Sequence, residues 1–308
     1  VIVTKVLILL INIKSEDELI EDYINTFIHG RCEEVVVKFP EACIDIILTS
    51  PPYADKRNYG IDESKIHPDD YINWFLPKAR EFFRILKPTG NFVLNINDNV
   101  VKGEQHLYVF ELVIALVKEI GFKLVRDYIW YNPSTPPNIF SSGKHGRTKK
   151  SHEFCFWFSK TSEWVFNIDS IRKPYGPDMN RYLEGNGRGD REQNLRPSTH
   201  SFNCGRIWKN NGGSDPGSVI VIGNTSSNDS FQKLCRLKGV HHPARFPEKL
   251  AEFFILSGSN EDGIVLDPFS GSGTTAIAAQ RNNRRWIGID ANAEYCDLSQ
   301  NRLTNEFQ

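Results

Sequence analysis

The segment Cys43-Ile44-Asp45-Ile46-Ile47-Leu48 is a short apolar run that stops abruptly at Thr49-Ser50-Pro51-Pro52. A strand buried on both faces reads this way, and the double proline ends it in a loop because proline has no backbone N–H to donate. From Tyr71 to Leu86 apolar and aromatic residues recur at helical spacing, and Lys87-Pro88-Thr89-Gly90 then predicts a turn into a second buried strand, Asn91 to Ile96. Val109 to Ile120 reads as an amphipathic helix closed by Gly121. Beyond about residue 160 the alternation ceases, and Tyr175 to Ser230 is rich in Gly, Asn, Ser, Arg and Pro. Regular pattern returns with a helix over Glu248 to Leu256, a strand over Gly263 to Asp267, a helix over Ala276 to Arg281 and a strand over Trp286 to Asp290. Strands and helices alternating at these lengths predict an α/β fold with a mainly parallel sheet and an irregular insert. The run Val6 to Ile13 is too short to span a bilayer and no small-residue cleavage site follows the basic Lys5, so neither membrane association nor a signal peptide is expected.

Composition sharpens the picture in one place. With 37 Lys+Arg against 38 Asp+Glu and 40% hydrophobic residues, the 308-residue chain is ordinary and globular, which excludes a disordered, collagen-like or polytopic membrane protein. The charge is nonetheless uneven: residues 140 to 210 hold 13 Lys+Arg against 7 Asp+Glu. Trp157, Trp164, Tyr175, Tyr182 and Trp208 are interleaved there, giving flat side chains beside cations, a composition suited to a phosphate backbone and exposed bases. A solvated loop region with incidental charge is the plainer alternative. The six cysteines are scattered without a C-x-x-C pair, which predicts reduced thiols and neither a zinc site nor a disulfide framework. His152-Glu153 has no second histidine one helical turn away, and adjacent His241-His242 point to opposite faces of an extended segment, so no metal site is expected.

The stretch Asp267-Pro268-Phe269-Ser270-Gly271-Ser272-Gly273-Thr274-Thr275-Ala276 joins a strand to a helix and fits the loose G-x-G-x-x-G/A form. Backbone without Cβ atoms lets a ligand approach closely at such a turn. Nineteen residues beyond Gly271, Asp290 ends the next strand, where a carboxylate accepts from the hydroxyls of an adenosine ribose. Gly273 is followed by Thr274-Thr275 and not by Lys, so the loop lacks the cation of a triphosphate-binding loop. A dinucleotide dehydrogenase needs further strands after its acidic residue, whereas here Gln308 follows Asp290 closely. The sheet must then be completed by strands earlier in the chain. That circularly permuted order is ordinary for one group of S-adenosylmethionine-dependent enzymes, whose sulfonium cofactor carries no phosphate.

Thr49-Ser50-Pro51-Pro52-Tyr53, at the carboxyl end of a predicted parallel strand, lies on the edge where open α/β sheets hold their ligands. With the glycine loop, this motif makes the chain resemble the DNA amino-methyltransferases of the permuted β group. Its T-S-P-P-Y form is similar to the N4-cytosine branch; the adenine branch usually carries Asp or Asn before the prolines. The resemblance extends over Arg57-Asn58-Tyr59-Gly60, Arg84 to Gly90, Trp130-Tyr131-Asn132-Pro133, His152-Glu153, Phe158-Ser159-Lys160, and His242 to Pro247, which is similar to the motif packing on the methionine end of the cofactor. Gly30-Arg31 departs from the Gly-Asp of many members, and no role is assigned near Cys32.

The resemblance implies a Rossmann-like methyltransferase domain in two halves, residues 26–160 (catalytic) and 236–308 (cofactor-binding), around a target-recognition region at 161–235. It implies Asp267, Pro268, Phe269, Gly271, Ser272, Gly273, Thr274, Thr275, Asp290, Phe246 and Pro247 as the S-adenosylmethionine site. Double-stranded DNA is the implied partner, together with a cognate restriction endonuclease acting on the same sequence, in a prokaryotic cytoplasm. The chemistry agrees. An exocyclic amino nitrogen is a poor nucleophile because its lone pair is delocalised into the ring, so acceptors for its hydrogens must draw it toward tetrahedral geometry. Ser50 Oγ and the Pro51 carbonyl, on a turn stiffened by Pro52, are expected to be those acceptors. Tyr53 is expected to stack on a base flipped out of the duplex, and Asp98 to help remove the amino proton, unless it is simply a turn former. The alternatives are the same reaction on adenine N6, an RNA or protein methyltransferase, and a non-catalytic DNA-binding protein on this scaffold.

Overall fold

The computed structural model describes residues 20–54, 66–135, 146–184, 209–224, 232, 234–236 and 245–307. The Val6 to Ile13 run, Arg57 to Gly60, His241 to Ala244, Cys204, Trp208 and residues 185–208 of the basic insert lie outside the described residues.

Eight strands form one sheet: β1 (Thr26–His29), β2 (Ile44–Thr49), β3 (Leu86–Ile96), β6 (Lys123–Tyr131), β7 (His152–Ser159), β8 (Val219–Val221), β9 (Ile264–Asp267) and β10 (Arg285–Asp290). Their order is β1-β10-β9-β2-β3-β7-β6-β8. The neighbours from β1 through β3 are all parallel, and β7 runs antiparallel between β3 and β6. Strands β9 and β10, late in the chain, sit between β1 and β2, which is the permuted order expected from the glycine loop's position. A small ribbon of β4 (Val100–Val101) and β5 (Glu104–Gln105) follows β3.

Helices cover both faces, which is why the central strands read as continuous apolar runs. Helices α1 (Cys32–Val36), α2 (Tyr71–Ile85) and α3 (Tyr108–Ala115) supply one core with Ile47, Phe92, Leu94, Leu266 and Ile289. Helix α4 (Pro177–Glu184) belongs to the basic insert and buries no residue. On the opposite face α5 (Glu248–Gly258), α6 (Thr274–Arg281) and α7 (Ala293–Phe307) pack on Ile46, Leu48, Val93, Val265 and Trp286. Adjacent strand residues go to opposite cores, as a pleat requires. Ile44 breaks this parity, sharing the face of Ile47, because the register between β2 and β3 shifts between Ile44 and Ile46.

The turn predicted at Lys87 to Gly90 is instead part of β3, absorbed by that same irregularity: Ile44 pairs with Leu86 and Ile46 with Asn91. Gly90 allows the local fold, since a Cβ there would lie 2.9 Å from the Lys87 carbonyl oxygen. The helix predicted to Ile120 is α-helical only to Ala115 and finishes as a wider π-turn over Leu116–Ile120, closed by left-handed Gly121. Within residues 161–235, β8 joins the main sheet beside β6, and Val165 N–H bonds the Thr89 carbonyl of β3, so this segment is tied to the main sheet near both ends. Among the described residues Cys32, Cys43, Cys155 and Cys296 are free thiols, and no helix is long and apolar enough to cross a membrane.

Candidate active site

Chain connections run outward in opposite directions from the β2–β9 pair, β2 to β3 on one side and β9 to β10 on the other, which makes this the switch point where α/β sheets hold ligands. Both motifs end there. Ser50-Pro51-Pro52-Tyr53 leaves the carboxyl end of β2, and its path is pinned twice: Tyr71 Oη donates to the Pro52 carbonyl at 2.8 Å and Asn99 Nδ2 to the Ala54 carbonyl at 3.1 Å. Ser50 remains partly exposed at this edge, while Pro51, Pro52 and Tyr53 are buried. Tyr53 was expected to offer its ring to a base. The ring is only 8% exposed, and it is the hydroxyl that faces the reactive loop, lying 3.1 Å from Ser50 Oγ, 2.7 Å from Glu153 Oε2 and 3.2 Å from Asn95 Oδ1.

The glycine loop sits across the switch point. Gly271 and Gly273 take positive φ, 50° and 69°, and Gly273 leads directly into α6. Ser272, Thr274 and Thr275 turn their side chains into the fold: Ser272 and Thr274 bond each other at 3.0 Å, and Thr275 Oγ1 donates to Asp267 Oδ2 at 2.6 Å. What the loop presents outward is therefore its backbone. The other Asp267 oxygen accepts from Thr49 Oγ1 at 2.7 Å, joining the cofactor loop to the residue just before Ser50. Burial pushes the Asp267 carboxyl up to about 6, against the opposing pull of the Thr275 and Thr49 hydroxyls and the Phe269 N–H.

Asp290 ends β10 with Oδ2 accepting the Gly271 N–H at 2.7 Å and Oδ1 the Asn292 N–H at 2.8 Å. Burial pushes this carboxyl up to about 6, opposed by those two N–H groups. Phe269 packs on Trp74 of α2, ring centroids 5.8 Å apart. Phe246 is buried in the core of the α5 face, and Pro247 caps the start of α5. Pro268 lies in the turn between Asp267 and Phe269 at the mouth of the loop.

Space around the loop is tight. An alanine Cβ at Gly273 would lie 2.8 Å from Phe27 Cζ and 3.0 Å from Ser299 Cβ, in a backbone region unfavourable to L side chains. Gly273→Ala is expected to destabilise the fold by about 2 to 4 kcal/mol, the sum of left-handed strain and overpacking. Denaturant unfolding checks this; an unchanged midpoint would show that the loop relaxes freely.

Asp98 lies beyond the end of β3, 3% exposed. Its carboxylate is taken up by an ion pair with Lys150 and a hydrogen bond from Gln105 of the β4–β5 ribbon. Three residues outside the sequence-derived site complete it. Glu153 is the second residue of β7, which pairs Phe154 with Ile96 at the end of β3, so its carboxylate comes beside Tyr53. Asn95 Nδ2 reaches Glu153 Oε2 at 3.3 Å and the Phe154 carbonyl at 3.1 Å. Lys150 holds Asp98, and burial with Lys150 nearby keeps the His152 imidazole below its ordinary range. The sequence signal for Glu153 was the His152-Glu153 pair, which the family resemblance covers without giving it a role in the site.

A proline-stiffened amino-directed turn facing a glycine loop with an acidic strand end defines a Rossmann-like amino-methyltransferase. Residues 44–301 match the DNA methylase family, and the chain belongs to it. It is 35% identical over 278 residues to the Type II methyltransferase M.PvuII of Proteus hauseri, covering 88% of this chain and 81% of that one. It is 34% identical to the orphan methyltransferase M.BamHII of Bacillus amyloliquefaciens, covering 86% and 90%. Among solved structures, PvuII DNA methyltransferase (cytosine-N4-specific) superposes with a TM-score of 0.68 at 29% identity, over 91% of this chain and 89% of that chain.

Proposed function

We propose that this protein is a site-specific DNA methyltransferase that transfers a methyl group from S-adenosylmethionine to N4 of a cytosine turned out of duplex DNA. The observation that carries the reading is the joining of the two motifs: Thr49 Oγ1 bonds Asp267 at 2.7 Å, placing the Ser50 turn beside the cofactor loop. The residues fit the cofactor. The loop carries no cation for a phosphate, its outward face is backbone, and Asp290 stands at the strand end with lone pairs remaining for ribose hydroxyls. When bound, the sulfonium supplies an electrophilic methyl group.

The protein's own residues do the rest. Ser50 Oγ and the Pro51 carbonyl accept the amino hydrogens and turn the nitrogen lone pair out of the ring, an electrostatic preorganisation that needs no movement at the moment of reaction. Extrusion of the base costs a few kcal/mol, recovered by contacts in the pocket. Arg147, Lys149 and Lys150 immediately precede β7, adjoining the catalytic turn, and this basic approach suits duplex phosphates. The irregular insert, 161–235, reads the target sequence. The Ser before the prolines, together with the likeness to a structure named cytosine-N4-specific, favours cytosine over adenine. A companion endonuclease acting on the same site, in a prokaryotic cytoplasm, completes the reading; the orphan relative marks the solitary alternative.

The test is direct. Mixed-sequence duplex DNA is incubated with methyl-labelled S-adenosylmethionine, digested to nucleosides and analysed by mass spectrometry. Label in N4-methylcytosine is expected. Label in N6-methyladenine would keep the mechanism and overturn the base assignment, and bound cofactor with no labelled nucleoside would overturn the substrate.

A further inference from the structure

We propose that Glu153 sets the direction of a hydrogen-bond chain through Tyr53 that makes Ser50 an acceptor only, and that it receives the proton the reaction releases. The inference rests on the reading of Ser50 given above. A carboxylate accepts but does not donate. The Tyr53 hydroxyl, 2.7 Å from Glu153 Oε2 and 3.2 Å from Asn95 Oδ1, therefore gives its one proton to the nearer and charged partner. Its oxygen is left to accept, and Ser50 Oγ, 3.1 Å away, donates into it. With its proton so committed, Ser50 Oγ has only lone pairs to offer the pocket.

The direction matters to the chemistry. A serine free to rotate spends part of its time donating, and a hydroxyl that donates to the amino nitrogen occupies the lone pair that must attack the methyl carbon. Fixing the chain from its far end removes that unproductive state. Asn95 holds the end in place, with Nδ2 3.3 Å from Glu153 Oε2 and 3.1 Å from the Phe154 carbonyl, on strands paired Asn95 to Cys155.

The same chain closes the proton balance. As the nitrogen–carbon bond forms, the carbon–sulfur bond breaks and its electron pair stays on sulfur; the nitrogen takes the positive charge and must lose one hydrogen. That proton passes to Ser50 Oγ while the Ser50 proton moves to Tyr53 and the Tyr53 proton to Glu153, which ends as the neutral acid. Glu153 is partly exposed, so water removes the proton before the next turnover. Asp98, expected from the sequence for this task, is already committed to Lys150 and Gln105. Glu153 is thus a positioning residue acting through Tyr53.

The test uses Glu153→Gln, Tyr53→Phe and the double variant of the full chain, with single-turnover methyl transfer to duplex DNA and S-adenosylmethionine affinity by calorimetry. Glu153→Gln is expected to slow transfer by about 100-fold or more, the scale of a lost proton acceptor, with cofactor affinity within about twofold. Tyr53→Phe should lose as much, and the double variant should be no slower than the slower single, because both cut one chain. Should Glu153→Gln not fold, Tyr53→Phe, which keeps the packed ring, must show the loss alone. Transfer by Glu153→Gln within about threefold of the parent, or losses that multiply in the double variant, overturns the proposal. Ser50→Ala separates the two readings: a fully active Ser50→Ala removes the role of Ser50 itself, whereas an inactive one beside an active Glu153→Gln removes only the role of Glu153.

Discussion

Replacing Ser50 with alanine is expected to slow methyl transfer by about 100- to 1000-fold, the usual loss when one preorganised polar group is removed from a reacting centre. Affinity for S-adenosylmethionine should stay within about threefold. The separation follows from what the side chain touches. Ser50 Oγ bonds only Tyr53 among the described side chains, whereas the turn's position depends on Thr49 to Asp267, Tyr71 to the Pro52 carbonyl and Asn99 to the Ala54 carbonyl, none of which alanine disturbs. The loop and the cofactor site should therefore persist while one acceptor disappears. The Pro51 carbonyl remains, which is why a residual rate is expected. Single-turnover measurements with saturating cofactor and DNA read the chemical step, and unchanged turnover would reject Ser50 as an acceptor.

Asp290→Ala should show the opposite separation. Its carboxylate orders the glycine loop by accepting the Gly271 and Asn292 N–H groups, and it is the acceptor proposed for the ribose. Cofactor binding is expected to weaken by about 1 to 3 kcal/mol, roughly 5- to 150-fold, the range of a lost charge-assisted hydrogen bond. Calorimetry giving equal affinity would sink the assignment. A pH dependence accompanies it. Burial pushes the Asp290 carboxyl from its ordinary 3.8 up to about 6. A raised carboxyl holds its proton more tightly in the folded chain, so its contribution to stability is complete below the ordinary value and is lost as pH rises through about 6. Ligand binding runs the other way, since the ionised form is the stronger acceptor. Affinity should fall as pH drops through about 6, and Asp290→Asn should flatten that fall. The buried Asp267, also raised to about 6, ends β9 with its two oxygens taken by Thr49 and Thr275, so it adds to the stability profile.

Much of the framework was legible one residue at a time. The runs at Ile44 to Leu48, Phe92 to Ile96 and Val265 to Asp267 announce strands covered on both faces, because apolar residues fall on both sides of each. Gly271 and Gly273 announce a turn that side chains would block, and both do take positive φ. Other features were less legible. Leu124, exposed near the sheet's outer side, and the broken register between Leu124 and Arg126 blur the alternation of β6. At Lys87 to Gly90 the turn residues are real, but pairing with β2 on one side and the ion pair of Lys87 with Asp45 at 2.7 Å keep the segment in the strand. Local propensity lost to partners that lie far away in the chain.

The same boundary runs through the site. The sequence by itself determined which groups could carry the chemistry: a hydroxyl and a carbonyl on a proline turn, a bare backbone loop and an acidic strand end, all local patterns whose meaning depends on a few neighbouring residues. Only the tertiary structure decided their company. Thr49 meets Asp267 across 218 residues and Tyr53 meets Glu153 across 100, while Asp98 is claimed by Lys150. The physical reason is that a hydrogen bond is set by distance and direction over about 3 Å. Strand order and register alone place such distant atoms within that reach, and neither is written in the spacing of any single segment.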